Sequence, residues 1–492
     1  MKSDIYTYDK TNPESLYKYS QSLIGHSLRE WMLNTDERVF REPTSDYGSN
    51  TNKGRLGQNV EQYFFGYLPN SSPVADFKEA GIELKCTGLK SVVDKYGNAS
   101  LTVKERLVCD IINYMEVLNE PFENSVFLQK CLRMLIMFYL YQKGVSNLDL
   151  KFIKVALWKL PEKDLLILKQ DYQVIVDKVK AGKAHEISES DTLYLAAARK
   201  GAGGDVDLRR QPNSSILAYQ RAFSLKPAYV RSIVSYIDNH GGECATNFYE
   251  EGEIPQLVSE QDLRNKSFTQ IILDRFRPFY NKNYVQIVDT LGLQESKAKH
   301  KYALAANAIL RIDSPVSSSK VKEYEEFRKS GIIMKTVRVN YTGSINESMS
   351  FENIDYEEIY DNEIWEESRL YEILTTQFLF VVFKETCKDS HIIIAGKEEP
   401  EFVLDHVCFW SMPQCDLEEA RLYWENIREA VRNNKIQLDS FYSIGDHRKF
   451  HVRPKGTIKS YKKAAVNPNG GMADKYCYWF NSEYVKTIIN KQ

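Results

Sequence analysis

The chain has 492 residues, of which 43% are hydrophobic and 27% are charged, a composition typical of globular domains. This composition excludes a disordered chain and a collagen-like repeat, and eight cysteines in this length are too sparse for a disulfide-stabilised miniprotein. The 65 lysines and arginines nearly balance the 67 acidic residues, so the net charge of −2 gives no global sign of a nucleic-acid partner.

The beginning of the chain lacks the apolar segment of a secretion signal, and no stretch reaches the ~18 uncharged apolar residues of a membrane span. We therefore expect a cytoplasmic protein without a membrane partner. The glycine-rich stretch Gly201–Gly204 is not followed by the Gly-Lys-Ser/Thr of a phosphate-binding loop, so no nucleotide cofactor is predicted.

The first predicted helix follows the capping residue Asn12 and has Pro13 in its first turn. A second helix is predicted over Val60–Tyr67 and carries Glu61. Residues 82–87 alternate between apolar and polar side chains, which predicts a strand with one buried face. The other predicted elements are strands over Leu107–Tyr114 and Met134–Tyr141, a helix over Leu165–Val179 and a loop over Gly201–Ser215.

The two halves of the chain resemble each other. Phe77–Lys85 aligns with Phe327–Lys335 at an offset of 250 residues, and Trp158–Pro161 aligns with Trp410–Pro413 at an offset of 252. Because further matches follow in order with a slowly drifting offset, the pattern indicates a duplicated domain. The predicted division is a first domain over 1–240, an acidic linker over 241–262 and a second domain over 263–492.

Asp76, Glu83 and Lys85 form a D-x6-E-x-K pattern that suits phosphodiester hydrolysis. Glu83 and Lys85 are two residues apart on the predicted strand, so their side chains leave the same face. Two carboxylates can bind a hard cation such as Mg2+, while an ammonium group orients water and offsets charge in the transition state. The pattern alone also fits an amphipathic strand whose acid and lysine face water.

The string from Asp76 to Lys85 resembles the catalytic strand of the MutH-type mismatch-repair nicking endonucleases, and that resemblance covers about residues 15–240. Lys104–Val108, Ile111–Tyr114 and Gly182–Glu186 are similar to the GATC-specific type II restriction endonucleases of bacteria, which a staphylococcal enzyme typifies. This second resemblance covers nearly the whole chain. It implies an α/β fold with two tandem restriction-endonuclease-like (MutH-like) domains, each a mixed sheet flanked by helices.

The resemblance also implies roles for the matched residues. Asp76 and Glu83 would be the ligands of a catalytic Mg2+, and Lys85 would be the third catalytic group. Glu61 would be an additional acid on a helix that lines the metal site, and Lys130 would approach the scissile region. Glu61 and Lys130 also have simpler interpretations, as a helix-surface acid and a solvated lysine.

The second half of the chain lacks most of this pattern. At the aligned positions, Glu326 replaces Asp76, Ile333 replaces Glu83, and Lys335 alone is kept. Because isoleucine cannot bind a cation, the second domain is predicted to be a degenerate copy without catalytic chemistry.

A basic run over residues 448–463 holds seven lysines or arginines and no acid. Such a run is usually a solvated face, but the resemblance implies that the loop around Arg453 reads bases, and arginine or lysine to guanine is the commonest specific major-groove contact. The predicted DNA contacts are Arg199, Lys200, Arg209, Arg210, Arg221 and Lys226 in the first domain and Arg453, Lys455 and Lys459 in the second.

Taken together, the resemblance implies Mg2+-dependent cleavage of double-stranded DNA at GATC, 5′ of the G, by the first domain. The second domain would bind another GATC copy and act as an allosteric effector. One active centre per chain cuts one strand per encounter, so self-association on DNA is expected. Two alternatives stay open: a DNA-binding regulator with a vestigial nuclease fold, and a nicking endonuclease of the mismatch-repair type.

Overall fold

The computed structural model of the protein describes residues 7–35, 55–68, 73–93, 98–201, 204–242, 255–311 and 324–490. The chain divides into two compact units: unit 1 comprises Met1–Ile187 and Thr192–Glu253, and unit 2 comprises Ser188–Asp191 and Ile254–Gln492. The predicted linker lies partly outside the described residues, at 243–254. In the described ranges no helix is long and apolar enough to cross a membrane.

Unit 1 is built from mixed sheets flanked by helices. Its helices are α1 (Pro13–Gln21), α2 (Leu28–Thr35), α3 (Arg55–Asn59), α4 (Val126–Cys131), α5 (Glu162–Lys180) and α6 (Pro227–His240). Its strands are β1 (Glu83–Val93), β2 (Ala99–Val103), β3 (Leu107–Ile111), β4 (Arg133–Leu140), β5 (Phe152–Lys159), β6 (Leu195–Arg199), β7 (Leu208–Gln211), β8 (Ser214–Tyr219) and β9 (Arg221–Leu225).

The larger sheet of unit 1 has the strand order β2-β1-β4-β5. Strand β1 runs parallel to β4, with Glu83 opposite Met134, and β4 runs antiparallel to β5. Residues 134–139 of β4 are all buried, which explains the continuous apolar run in the sequence, since a central strand is covered on both faces. A second sheet has the order β3-β9-β6, and β7 pairs with β8.

Unit 2 has the same kind of construction. Its helices are α7 (Glu260–Asn265), α8 (Phe268–Phe276), α9 (Tyr284–Thr290), α10 (Lys301–Leu310), α11 (Glu325–Ser330), α12 (Tyr356–Asp361), α13 (Arg369–Leu374), α14 (Gln414–Arg432), α15 (Ile458–Tyr461) and α16 (Ser482–Asn490). Its strands are β10 (Ile333–Val339), β11 (Met349–Asn353), β12 (Phe378–Glu385), β13 (His391–Ile394), β14 (Lys397–Pro400), β15 (Phe402–Trp410), β16 (Phe450–Arg453), β17 (Ala465–Val466), β18 (Met472–Ala473) and β19 (Cys477–Phe480).

The two units repeat one topology. In unit 2, β10 runs parallel to β12 and β12 runs antiparallel to β15, as β1, β4 and β5 do in unit 1. The sheet β11-β19-β16 repeats the order of β3-β9-β6. The long helices α5 and α14 each have 19 residues. The predicted fold of two tandem α/β domains with mixed sheets is therefore confirmed.

Most predicted elements of unit 1 are confirmed, and two differ from the prediction. Asn12 caps α1 by accepting hydrogen bonds from the Glu14 and Ser15 amides. The predicted helix around Glu61 is a π-helical turn, Val60–Phe64, that continues α3. The predicted loop over 201–215 contains the strand β7. Two adjacent residues of this four-residue strand are exposed, so its sequence lacks the alternation of apolar and polar residues that predicts a strand.

Candidate active site

The acid–lysine pattern lies at the beginning of β1. Glu83 is the first residue of this strand and is only 4% exposed. The Lys85 Nζ donates a hydrogen bond to the Glu83 Oε1 over 2.8 Å, because residues two apart on a strand share a face. Asp76 lies just before the strand and accepts a hydrogen bond from the Leu84 amide over 2.9 Å. The structure thus brings the three predicted groups to one end of β1.

A β-bulge in the neighbouring sheet gives Lys85 a second partner. The register of β3 on β9 shifts between Val108 and Asp110, so Cys109 has no partner in the ladder. The Lys85 Nζ donates to the Cys109 carbonyl over 3.1 Å. Bulges of this kind commonly re-aim groups beside active sites. Lys85 is therefore anchored by a carboxylate on its own strand and by a carbonyl on β3.

Lys130 joins the same cluster from the last turn of α4, which Ser125 caps. Its Nζ lies 4.0 Å from the Glu83 Oε1 and 3.7 Å from the Asp110 Oδ1, and its side chain is 15% exposed. The simpler interpretation of a solvated lysine is therefore wrong. Asp110 was not predicted as a site residue. The bulge interrupts the alternation of side chains along β3, which is the pattern that shows which residues of a strand share a face.

Two acids of this cluster, Glu61 and Asp76, have raised pKa values. Burial, and then the charges of Asp76 and Glu83, raise the pKa of Glu61 to about 7. Burial and the charge of Glu83 raise the pKa of Asp76 to about 6. Burial alone would lower the pKa of Lys85, but the charge of Glu83 and smaller contributions from its surroundings together keep this pKa above its ordinary value. The site therefore concentrates negative charge that a cation would relieve.

The donor set fits a hard divalent cation. The Glu83 Oε2 is buried and has no hydrogen-bond partner among the described residues, and the same is true of the Tyr67 hydroxyl. Among the described residues, no group of three or more histidine, cysteine or acidic side chains forms a preorganised metal site. Mg2+ commonly takes one or two protein carboxylates and completes its shell with water and phosphate oxygens. Asp76 and Glu83 would provide those two carboxylates.

We expect the Glu61→Gln variant to be more stable than the wild type at pH 8 in the absence of divalent ions. The raised pKa means that the folded protein holds a proton on Glu61 at low pH, so the charge destabilises the fold only as pH rises from about 4.5 to about 7. The gain at pH 8 should be roughly 1–3 kcal/mol after allowance for solvent screening. Thermal unfolding at pH 5 and pH 8 measures it, and equal effects at the two pH values would contradict the assignment.

The predicted DNA contacts of unit 1 fall into two groups. The Arg199 guanidinium, at the end of β6, lies 3.6 Å over the Tyr219 ring. Arg209 and Arg210 are exposed on β7. Lys200 is half-buried, and burial lowers its pKa. These four side chains remain candidates for contact with phosphates or bases.

Arg221 and Lys226 require a correction. Arg221 is 4% exposed and donates to the Ala197 carbonyl over 2.7 Å, while Lys226 is 5% exposed and donates to the Thr192 carbonyl over 2.5 Å. Arg221 lies on β9, the middle strand of its sheet, and Lys226 directly follows that strand. Their cationic groups are used on main-chain carbonyls, so the prediction that they contact DNA was wrong.

Unit 2 keeps the frame of this site but has no acid in place of Glu83. Ile333 opposes Phe378 at the start of β10, as Glu83 opposes Met134 in β1. Both carboxylate oxygens of Glu326 accept hydrogen bonds from the Leu257 amide, and one of them also accepts from the Val258 amide, at 3.0–3.2 Å.

Lys335 keeps a structural role in unit 2. Its Nζ donates to the Ser350 carbonyl on β11 over 2.7 Å, next to another irregularity in strand register. By the register of the paired strands, Leu374 takes the place of Lys130, and Leu374 is fully buried. Unit 2 therefore keeps the lysine and its main-chain hydrogen bond, although the acid that pairs with this lysine in unit 1 is replaced by Ile333.

The basic run of unit 2 is only partly free for a ligand. Lys449 is paired with Asp416 and Glu419, and Lys462 is paired with Asp474. The remaining predicted contacts are differently placed. The Arg453 guanidinium stacks 3.9 Å over the Trp479 ring, while Lys455 and Lys459 are exposed.

Comparison with known proteins places this chain. It is 32% identical to the type II restriction enzyme Sau3AI of Staphylococcus aureus over 520 aligned positions, which cover 97% of this chain and 98% of the relative. The chain belongs to the Sau3AI family of type II restriction enzymes. Membership of the Sau3AI family makes it a site-specific deoxyribonuclease with double-stranded DNA as substrate, so the alternative of a non-enzymatic regulator is not supported.

Part of this Sau3AI family member is also similar to the DNA mismatch repair protein MutH. Residues 65–171 match the family model for the DNA mismatch repair enzyme MutH. The DNA mismatch repair protein MutH of Buchnera aphidicola is 25% identical over 187 residues, covering 38% of this chain and 79% of the relative. That of Shewanella woodyi is 27% identical over 188 residues, covering 37% and 76%. The predicted resemblance to both families is confirmed.

Proposed function

We propose that unit 1 cleaves double-stranded DNA at GATC, 5′ of the G, with Mg2+ held by Asp76 and Glu83. The observation that carries this proposal is the convergence of Glu83 and Lys85 beside Asp76 in unit 1, set against Ile333 in unit 2. The sequence GATC and the cut position come from the resemblance of the chain to GATC-specific enzymes. The buried unpartnered oxygen of Glu83 supports the metal assignment.

In this proposal each side chain has a defined task. Mg2+, when bound, would polarise the phosphate and lower the pKa of a bound water. Asp76 and Glu83 hold the cation, and Lys85 orients the attacking water and offsets charge on the phosphate in the transition state. Lys130 lies 4.0 Å from Glu83, where its ammonium would meet a phosphate oxygen. Glu61, close enough to Asp76 and Glu83 for their charges to raise its pKa, would add negative charge to the site when it is ionised.

Plasmid cleavage tests this proposal directly. The protein is incubated with a GATC-containing plasmid in Mg2+ and in EDTA, and with a plasmid whose GATC sites are scrambled. We expect linear fragments that begin with GATC and carry 5′-phosphates, only in Mg2+ and only with intact sites. Cleavage of the scrambled plasmid would overturn the site assignment. Nicked circles without a linear product would favour the alternative of a nicking endonuclease.

We propose further that unit 2 binds a second GATC copy as an effector, through the turn that follows β16. Arg453 is the last residue of β16 and Lys455 lies on this turn, and the stacked Arg453 presents a pre-oriented guanidinium. A bidentate arginine–guanine contact is worth about 1–3 kcal/mol. Because unit 1 provides one active centre, we also propose that two chains meet on the palindrome to cut both strands.

The effector role predicts that the double variant Arg453→Ala/Lys455→Ala cuts a single-site substrate about tenfold more slowly, in proportion to one lost base contact. Stimulation by an added GATC duplex should also be lost, while Mg2+ dependence is unchanged. The matched control is Lys388→Ala/Lys397→Ala, which removes two exposed lysines near β13 and β14. An unchanged rate and unchanged stimulation in the first variant would contradict the effector role.

A further inference from the structure

Asp110 is an acid of the cluster that neither the sequence pattern nor the comparisons assign. It lies on β3 immediately after the bulged residue Cys109, with a side chain that is 23% exposed. Its Oδ1 is 3.7 Å from the Lys130 Nζ, which is slightly nearer than the 4.0 Å between Lys130 and the Glu83 Oε1. Lys130 is therefore within 4.0 Å of two carboxylates. One of these, Glu83, would be occupied by a bound metal ion.

The two carboxylates differ in what else they hold. The Glu83 Oε1 already accepts a hydrogen bond from Lys85 at 2.8 Å. Burial raises the pKa of Asp110, while the charges of Lys130 and then Lys85 oppose that rise. When a cation neutralises Glu83, the attraction that Glu83 exerts on Lys130 falls, and Asp110 is left as the nearby opposite charge.

Unit 2 provides an internal comparison. Strands β3 and β11 each set five residues against four of their partner strand, and counting from the first residue of each strand places Glu352 at the position of Asp110. Glu352 forms a two-point ion pair with Arg369, at 2.7 and 2.9 Å, on the first residue of α13. Both units thus join this strand position to the short helix that precedes β4 or β12.

The basic residue of that helix, Arg369 in unit 2 and Lys130 in unit 1, takes a different position in each unit. In unit 2 it is at the beginning of α13, and the position equivalent to Lys130 is the buried Leu374. In unit 1 it is in the last turn of α4, within 4.0 Å of Glu83. Only unit 1 has the Glu83 carboxylate, and only there does the basic residue of the helix lie beside that position. We infer that the ion pair of Asp110 and Lys130 has a role in the active site as well as in the stability of the fold.

We propose that Asp110 is a positioning residue of the active site, which holds the Lys130 ammonium beside the metal ligand Glu83. The proposal rests on the proposed function of unit 1 and deepens it. Without the Asp110 charge, Lys130 would move fully onto Glu83, where it would compete with the incoming cation and leave the scissile phosphate without its ammonium. Asp110 itself is not required to touch metal or substrate.

The test is a double-mutant cycle of Asp110→Asn and Lys130→Met, with single-turnover cleavage of a GATC duplex in Mg2+ as the first readout. Asp110→Asn should slow cleavage by about 10- to 100-fold, as loss of a supporting partner does at other metal sites. In the Lys130→Met background it should cause no further loss. Asp110→Glu should recover part of the rate. The matched control Glu352→Gln should lower the melting temperature without changing the cleavage rate.

The second readout is Ca2+ binding to the DNA-free protein, measured by calorimetry. Asp110→Asn should weaken binding in the wild-type background and have no effect in the Lys130→Met background. Equal weakening in both backgrounds would make Asp110 a direct contributor to the metal site and would overturn the proposal. Wild-type cleavage by Asp110→Asn would overturn it as well. Failure of the proposed function is distinguishable, since the wild type itself would then leave GATC uncut.

Discussion

The Glu83→Gln variant should bind GATC duplexes with near-normal affinity and cut them at least about 10³-fold more slowly, since several kcal/mol of charge stabilisation depend on the cation. Glu83 begins β1, is 4% exposed and has one carboxylate oxygen without a partner in the described structure. Glutamine keeps the shape of the side chain but lacks the negative charge that attracts a cation. Single-turnover cleavage and gel-shift titrations in Ca2+ measure the two properties separately.

Glu79→Gln is the matched control for this experiment. Glu79 lies in the same segment, has a side chain that is 49% exposed, and pairs with Lys10 at the surface. Surface pairs of this kind contribute little, so its variant should cut at the wild-type rate. Near-normal cleavage by Glu83→Gln would remove Glu83 from the active site, and loss of DNA binding would show that the substitution disturbs more than the metal.

Lys85→Met should also abolish most cleavage, by about 10²- to 10³-fold, but with the opposite effect on the metal. The ammonium donates to the Glu83 Oε1, so its removal frees that oxygen and lowers the positive charge at the site. Divalent-ion affinity should therefore stay the same or increase. The metal-free variant should be less stable, because removing one partner of a buried ion pair leaves an uncompensated charge. Calorimetric Ca2+ titration and thermal unfolding with and without Ca2+ distinguish these effects.

Lys335→Met in unit 2 is the control for Lys85→Met. Lys335 donates to the Ser350 carbonyl and lies 4.6 Å over the Phe351 ring, with no acid in place of Glu83. Its variant should lose stability, keep its cleavage rate and show no change in Ca2+ affinity. If Lys335→Met instead lost cleavage as completely as Lys85→Met, the assignment of the chemistry to unit 1 alone would be wrong.

The sequence predicted the parts of the site that depend on short-range geometry. The two-residue spacing of Glu83 and Lys85 guarantees a common face on a strand, and their contact at 2.8 Å is the direct result. The aligned repeats predicted that Ile333 takes the place of Glu83. The register agrees, since Ile333 pairs with Phe378 at the start of β10 as Glu83 pairs with Met134 at the start of β1. Placing Lys130 near this cluster required the family resemblance, since α4 and β1 are far apart in the chain.

The remaining features depend on strand pairing that the sequence does not encode locally. The bulge at Cys109 decides where Asp110 points, and a bulge leaves no signal in a five-residue strand. Arg221 and Lys226 were predicted as DNA contacts because they follow closely after Arg199 and Lys200 in the chain. Strand β9 is instead the middle of its sheet, and both cations satisfy buried carbonyls.

The two amides that Glu326 holds would make the acid pair of unit 1 difficult to build into unit 2. Ile333→Glu would return an acid to the start of β10, but the carboxylate before it is committed to Leu257 and Val258. Leu374, fully enclosed in the core, leaves no room for a lysine in place of Lys130. Building the unit 1 arrangement into unit 2 would need substitutions at three positions, 326, 333 and 374, and a new anchor for residues 257–258. The fold of unit 2 has thus come to rely on Glu326 as a main-chain anchor, at the position where unit 1 has Asp76.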